Sequence, residues 1–303
     1  MHLAKKTVAV TGATGFLGRY IVDVLLTRGA RVIGVVRNPA RVPELAARGV
    51  EFRKADLLER DRLAAAFRGA DAVVSNAALY SLGNLSWKEH RRTNVLGTEN
   101  VFEAIAEAGV KRVVHVSSQA VYAGGRGASL AEDRPMRAES DGPGLIGAYQ
   151  LSKALSERIA WRLAKERDLE LTTVRPGMIY GAFDPNFMPI FKALLRLPVS
   201  VFPALLRVPA VYGGDVAEAI ALALEKTISI GKAYNTAGAD RTMWELARAW
   251  REAGGKSPRV QIPVPLPVRQ AVDNSRAEAE LGWSNRPFVE ALRETLALEK
   301  GLI

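Results

Sequence analysis

Tyr149 and Lys153 stand four residues apart, a spacing that on a helix sets both side chains on one face. A free phenol has a pKa near 10 and is a poor base at neutral pH unless a nearby cation favours its ionised form, and Lys153 supplies such a cation. Ser118, at the end of an apolar strand-like run, adds a hydroxyl donor that could hold a substrate oxygen in the same crevice. Together the three residue types could move a proton to or from a carbonyl or a secondary alcohol.

A second constellation names the other reactant. The run Thr7–Val10 leads directly into Thr11-Gly12-Ala13-Thr14-Gly15-Phe16-Leu17-Gly18, with a helical pattern after it. In a strand, loop and helix of this order, Gly12 permits the tight turn and Gly15 lets backbone N–H groups approach a pyrophosphate. Gly18 lets helix and strand pack closely. The second strand ends Val36-Arg37, where an acid would accept from a ribose 2′-hydroxyl; a guanidinium instead favours a 2′-phosphate, hence NADP(H) over NAD(H). Arg41, one turn further on, could assist, and a plain solvated role for Arg37 stays open. Asp56-Leu57, after the third strand, could flank an adenine, or Asp56 could simply cap a helix.

The elements that must hold these residues alternate. Strand-like runs Val8–Val10, Val32–Val36, Ala72–Ser75, Val113–Ser117 and Leu171–Val174 are interleaved with helical patterns at Tyr20–Arg28, Val42–Arg48, Asn94–Ala108 and Tyr149–Arg167. Continuous apolar strands between helices predict an α/β fold with a doubly wound parallel sheet. We expect residues 1–175 to form the dinucleotide-binding domain. Residues 212–238 would rejoin it, through an N-capped helix from Asp215 to Lys226 and a short strand, Ala233–Asn235. Residues 176–211 and 239–303 form the expected substrate-binding region, and 124–144 a long loop beside the site.

The chain has 303 residues, is 48% hydrophobic and contains no cysteine, which excludes disulfides, thiolate metal sites and a cysteine nucleophile. Its net charge is +10, yet basic and acidic residues are mixed, so nucleic-acid binding is not expected. No secretory signal or membrane-spanning run is read, no metal-ligand spacing is found, and a cytoplasmic location is the default.

These motifs resemble those of the extended short-chain dehydrogenase/reductases, the superfamily of the NAD-dependent epimerase/dehydratases. The match rests on Thr11–Gly18, Asp56-Leu57, Asn76-Ala77-Ala78, Asn94–Thr98, Ser117–Tyr122, Tyr149–Lys153, Arg175-Pro176-Gly177, Tyr180-Gly181, Gly214–Ala217, Tyr234-Asn235 and Leu281–Trp283. The resemblance implies Tyr149 as general acid/base, Lys153 on the nicotinamide ribose and Ser118 on the substrate oxygen. It implies a cofactor set of Gly12, Thr14, Gly15, Phe16, Leu17, Gly18, Arg37, Asp56, Leu57, Ala77, Pro176 and Gly177, together with Tyr149 and Lys153. Asn94 would be a scaffold residue and Ser117 a lining one. A homodimer through the helices at 94–108 and 149–167 is implied as well, with Ile159 and Leu163 spaced to contribute.

Within the superfamily, dehydratases carry an Asp-Glu pair where this chain has Gln119-Ala120, which argues against elimination of water. The Arg-Asn-Pro ending of the second strand resembles the dihydroflavonol reductase and 3β-hydroxysteroid dehydrogenase branch. The apolar run that includes Phe187, Met188, Ile190, Phe191, Leu194, Leu195, Leu197, Val201, Phe202, Leu205 and Leu206 could line a pocket for a fairly apolar substrate. It could equally be core, a dimer surface or, least in keeping, a peripheral membrane contact. The expected activity is NADP(H)-dependent hydride transfer to or from a carbonyl or secondary alcohol of a small molecule. A nucleotide-sugar epimerase is the alternative within enzymes, and a non-catalytic dinucleotide-binding scaffold the alternative outside them.

Overall fold

The structure, a computed structural model, describes residues 1–39, 42–80, 86–123, 129–143, 147–196, 199–202, 206–256, 260–264 and 271–301. Arg41, Leu197 and Leu205 lie outside the described residues, as do 124–128 and 144 of the long loop.

The chain runs β1 (Thr7–Thr11), α1 (Phe16–Thr27), β2 (Arg31–Val36), α2 (Pro43–Ala47), β3 (Glu51–Lys54), α3 (Arg60–Phe67) and β4 (Ala72–Ser75). It continues through α4 (Trp87–His90), a π-turn over Arg91–Leu96, α5 (Gly97–Glu107), β5 (Arg112–Val116), α6 (Ala148–Glu166) and β6 (Glu170–Pro176). Then come β7 (Met178–Tyr180), α7 (Phe187–Arg196), β8 (Val199–Phe202), β9 (Arg207–Val208), β10 (Ala210–Tyr212) and α8 (Gly213–Glu225). The chain closes with β11 (Ala233–Thr236), β12 (Arg241–Thr242), α9 (Met243–Glu252), β13 (Val260–Pro263) and α10 (Phe288–Glu299).

Seven strands form one parallel sheet in the order β11-β6-β5-β4-β1-β2-β3. The order reverses between β1 and β4, and a doubly wound sheet opens a ligand crevice beyond its strand ends at such a point. Every residue of β1, β4 and β5 is buried, because helices cover both faces. Val8 and Val10 of β1 face a core built with α1 and α8, whereas Ala9 faces one built with α3, α5 and α6. Arg112 of β5 joins β6 to α8 and the turn after it through hydrogen bonds to Glu170 O at 2.6 Å, Thr172 Oγ1 at 3.0 Å, Ala223 O and Ser229 Oγ at 2.7 Å.

Two expectations are corrected. The helix expected to be capped by Asp215 begins at Gly213, and its N-cap residue, Tyr212, makes no side-chain cap bond. Asp215 instead binds Arg286, from Nε at 2.6 Å and backbone N at 3.1 Å, while its carbonyl accepts from Trp283 Nε1 at 2.7 Å. This anchors the C-terminal segment to α8. Leu163, expected on a dimer surface, is buried in the core beside β5 and β6, and Ile159 packs against that same core. No described helix is long and apolar enough to cross a membrane.

Candidate active site

One cleft of about 1650 Å³ runs from the glycine loop past Arg37 and Asp56 to Ser118, Tyr149, Lys153 and Pro176-Gly177. That is more than a typical small-molecule pocket of roughly 300–1,000 Å³, and leaves room for a dinucleotide with a second reactant beside it. Every expected site residue except Gly18 lies on its wall.

At the glycine loop the sequence dictates backbone placement. Gly12 has φ of +68°, open to glycine at no steric cost, and Gly15 N donates to Gly12 O at 2.9 Å. Gly18 is off the cleft wall because its work is packing: a Cβ there would sit 2.1 Å from Gly12 O. Helix α1 starts at Phe16 with no side-chain cap on its first N–H groups, which suits an anion at that end. Thr11 Oγ1 accepts from Asn76 N and Ala77 N, both at 3.0 Å, and so ties the ends of β1 and β4 at the switch point. These features fit a bound dinucleotide. Arg37 is exposed on the wall and makes no hydrogen bond or ion pair among the described residues. Asp56 Oδ1 accepts from Leu58 N at 2.9 Å, so its carboxylate caps its own turn while still facing the cleft.

The helix α6 carries the Tyr149/Lys153 stripe. The Lys153 ammonium is buried and donates to Val116 O of β5 at 2.8 Å, and burial pulls its pKa down to about 8 against the opposing pull of Glu157. Burial also pushes the Tyr149 phenol up to about 12, with the Ser118 hydroxyl opposing that shift through a hydrogen bond. Ser118 Oγ in addition accepts from Ala120 N at 3.1 Å, which fixes its rotamer. At neutral pH the pair is therefore a protonated phenol and a largely protonated ammonium: the expected lowering of the phenol by the Lys153 cation is overturned by burial, with the ammonium turned to Val116 O.

Asn94 lies in the π-turn, a departure from α geometry frequent at functional sites. Its Nδ2 donates to Leu79 O and Ser152 Oγ, each at 2.9 Å, and its Oδ1 accepts from Leu79 N at 2.7 Å. Ser152 Oγ donates in turn to Tyr149 O at 2.7 Å, so Asn94 braces the turn that presents Tyr149. Ser117 Oγ donates to Glu157 Oε2 at 2.5 Å.

Some residues of the site were not singled out from the sequence. Glu157 is fully buried and receives Arg175 Nη2 at 2.6 Å and Nε at 3.0 Å, Trp161 Nε1 at 3.1 Å and Thr173 Oγ1 at 3.2 Å. Its signal was available, since it continues the Tyr149/Lys153 stripe by one more turn. Tyr80 meets the Tyr149 ring edge-on, centroids 4.8 Å apart, and nothing in its spacing announced it. In the described part of the apolar run after 186, Met188, Phe191 and Leu195 are buried in the core, Ile190 is 54% exposed, and from α7 Phe187 reaches the cleft.

Comparison with known proteins agrees with this geometry. Residues 8–237 match the model of the NAD dependent epimerase/dehydratase family. The chain belongs to that family. By family it is an NAD(P)-dependent oxidoreductase of the extended short-chain dehydrogenase/reductase type. It is 31% identical to sterol demethylase protein B of Methylococcus capsulatus over 88% of this chain and 80% of that protein. It is 34% identical to a 4-hydroxy-2-methyl-3-oxo-4-farnesyl-3,4-dihydroquinoline-1-oxide ketoreductase of Stigmatella aurantiaca, over 59% of this chain and about half (52%) of the relative's length. Among solved structures, the Thermus thermophilus UDP-glucose 4-epimerase complex with NAD superposes with a TM-score of 0.79 at 28% identity, over 98% of this chain and 100% of that one.

Gly18→Ala forces the new methyl against Gly12 O and Ala13. It is expected to cost about 1–3 kcal/mol of stability, as overpacking does, and to weaken cofactor binding at least about tenfold. Urea unfolding and fluorescence titration with NADPH measure the two effects.

Proposed function

We propose that this protein is a carbonyl reductase that uses NADPH in preference to NADH, with Tyr149 as the proton donor. One observation carries the reading: the Tyr149 phenol and the Ser118 hydroxyl stand together on the wall of the cleft that begins at the glycine loop, and burial raises the phenol's pKa. A neutral phenol is a proton donor, and reduction of a carbonyl to an alcohol needs one. The reduced nicotinamide supplies the hydride.

Ser118 and Tyr149 hold the carbonyl oxygen by two hydrogen bonds, which polarise the carbonyl and orient its carbon. As charge grows on that oxygen, the Tyr149 O–H bond breaks and the proton passes to the oxygen, leaving the alcohol. The phenolate left behind is stabilised by the Lys153 ammonium one helical turn away, and a proton from solvent restores the phenol. Pro176-Gly177 closes the nicotinamide end of the cleft, and Gly177 has no room for a side chain because a Cβ would lie 2.2 Å from Pro209 O. Phe187, Met178 and Ile179 provide apolar wall near this end for the substrate body.

The preference for NADPH rests on Arg37, an exposed guanidinium on the cleft wall with no acid to occupy it. The same reading includes a homodimer formed on α5 and α6, in which the exposed Leu96 replaces Leu163 as the apolar contact. The likeness to the epimerase favours one second reading, a nucleotide-sugar epimerase, which would interconvert its substrates without net consumption of reduced cofactor.

Tyr149→Phe is expected to lower carbonyl-dependent NADPH oxidation by about 10²–10⁴-fold, the usual contribution of a positioned proton donor, with NADPH affinity held within a few-fold. Retained turnover removes Tyr149 from the chemistry, and substrate interconversion with no net NADPH oxidation selects the epimerase. Arg37→Asp is expected to weaken NADPH by about 10–100-fold, the worth of a charge-assisted contact, and to leave NADH equal or better. Fluorescence titration with both cofactors checks it.

A further inference from the structure

Three polar side chains on the cleft wall have business left undone. Arg137 is half-buried, makes no side-chain hydrogen bond or ion pair among the described residues, and its Nε is buried without a partner. Gln119 Oε1 and Gln150 Oε1 are likewise buried without partners among the described residues. Gln119 directly follows Ser118 and Gln150 directly follows Tyr149, so both glutamines stand beside the hydroxyls that hold the reacting oxygen. Desolvated polar groups left unpaired are costly, and an unpaired guanidinium most of all. Their concentration in one stretch of wall therefore asks for a ligand group.

The Arg137 backbone, by contrast, is fully committed. Its N–H donates to Val121 O at 2.8 Å, and its carbonyl accepts from Arg158 Nη2 at 3.2 Å and Nε at 3.3 Å. Tyr122 and Met136 pair as a β-bridge just before it. The main chain is thus fixed from two sides while the guanidinium has no partner among the described residues, an arrangement that preorganises a cation for something outside the chain.

We propose that Arg137, with Gln119 and Gln150, is a subsite for a carboxylate on the carbonyl substrate, so that the preferred substrates are oxo acids. This rests on the reductase reading above. One guanidinium matches one planar carboxylate in bidentate fashion. Each glutamine amide offers an acceptor at one end and donors at the other, so a half-turn lets it donate to the same carboxylate. The substrate is then bipartite, with an apolar body against Phe187, Met178 and Ile179 and an acid end at Arg137.

The test uses 2-, 3-, 4- and 5-oxooctanoate and their methyl esters with NADPH, and wild type, Arg137→Met and Arg137→Lys. Wild type is expected to favour at least one acid over its ester by about 10–100-fold in kcat/KM, the range of a charged hydrogen bond. In Arg137→Met that preference falls to near one, through the KM of the acid, and Arg137→Lys restores part of it. Esters reduced as well as every acid by wild type, or a preference untouched in Arg137→Met, overturn the proposal. The corresponding 2-, 3-, 4- and 5-hydroxyoctanoates are titrated calorimetrically into protein saturated with NADP⁺. If no ketone turns over, the reductase reading falls; hydroxy-acid binding that weakens in Arg137→Met still upholds the subsite, and binding that is absent or equal in both proteins removes it.

Discussion

A carboxylate with no water contact holds this site together. Glu157 is completely buried, and such a charge is tolerated only when paired and hydrogen-bonded. Arg175 of β6 supplies the pair, and Ser117, Thr173 and Trp161 supply the remaining donors. Because Glu157 sits on α6 and its partners other than Trp161 sit on β6 and at the end of β5, satisfying it pins that helix to the sheet in one register. Tyr149 and Lys153 lie on the same stripe, two turns and one turn before it. Their aim into the cleft is thus a consequence of where a buried charge finds its counter-charge. Breaking such a pair from one side strands the other charge, so the arrangement resists gradual loosening.

The network continues outward from Arg175. Its Nη1 donates to Tyr122 OH at 3.0 Å, Tyr122 OH donates to Asn235 Oδ1 at 2.6 Å, and Asn235 Nδ2 donates to Leu130 O at 2.9 Å and Asp273 O at 3.0 Å. The edge strand β11 and the segment near Asp273 are thereby linked to the charge behind Lys153. Burial acts in opposite directions on Tyr149 and Lys153. It raises the phenol and lowers the ammonium, since each is driven toward its neutral form. The outcome is a Tyr149 phenol that keeps its proton well above neutral pH, and a Lys153 charge that fades as pH rises through about 8.

What could be read beforehand follows from the range of the interactions involved. The glycine loop, the parallel sheet and the Tyr149/Lys153 pair depend on residues a few positions apart, and short spacing survives in the sequence. The helix expected from Asp215 was read correctly as a helix and wrongly in its cap, because Arg286 is 71 positions away and competes for that carboxylate. Leu163 had the right spacing for an outward stripe, but α6 turns that stripe onto β5 and β6. The apolar run after Phe187 was ambiguous as composition, although Met188, Phe191 and Leu195 already carried the three- and four-residue spacing of a core face. Arg137 was out of reach altogether. Nothing local distinguishes a guanidinium without a partner from the many in this chain that have one.

The account stands on a phenol that keeps its proton until reaction. Its most direct test is ultraviolet difference titration of wild type against Tyr149→Phe, which isolates one of the chain's seven tyrosines. The two titrations are predicted to coincide from about pH 6 to about 10, below the ordinary phenol value, and to part only toward about pH 12, where burial places Tyr149. A one-tyrosinate difference with its midpoint near neutrality would contradict the account, for the residue would then be a base at rest and not a donor.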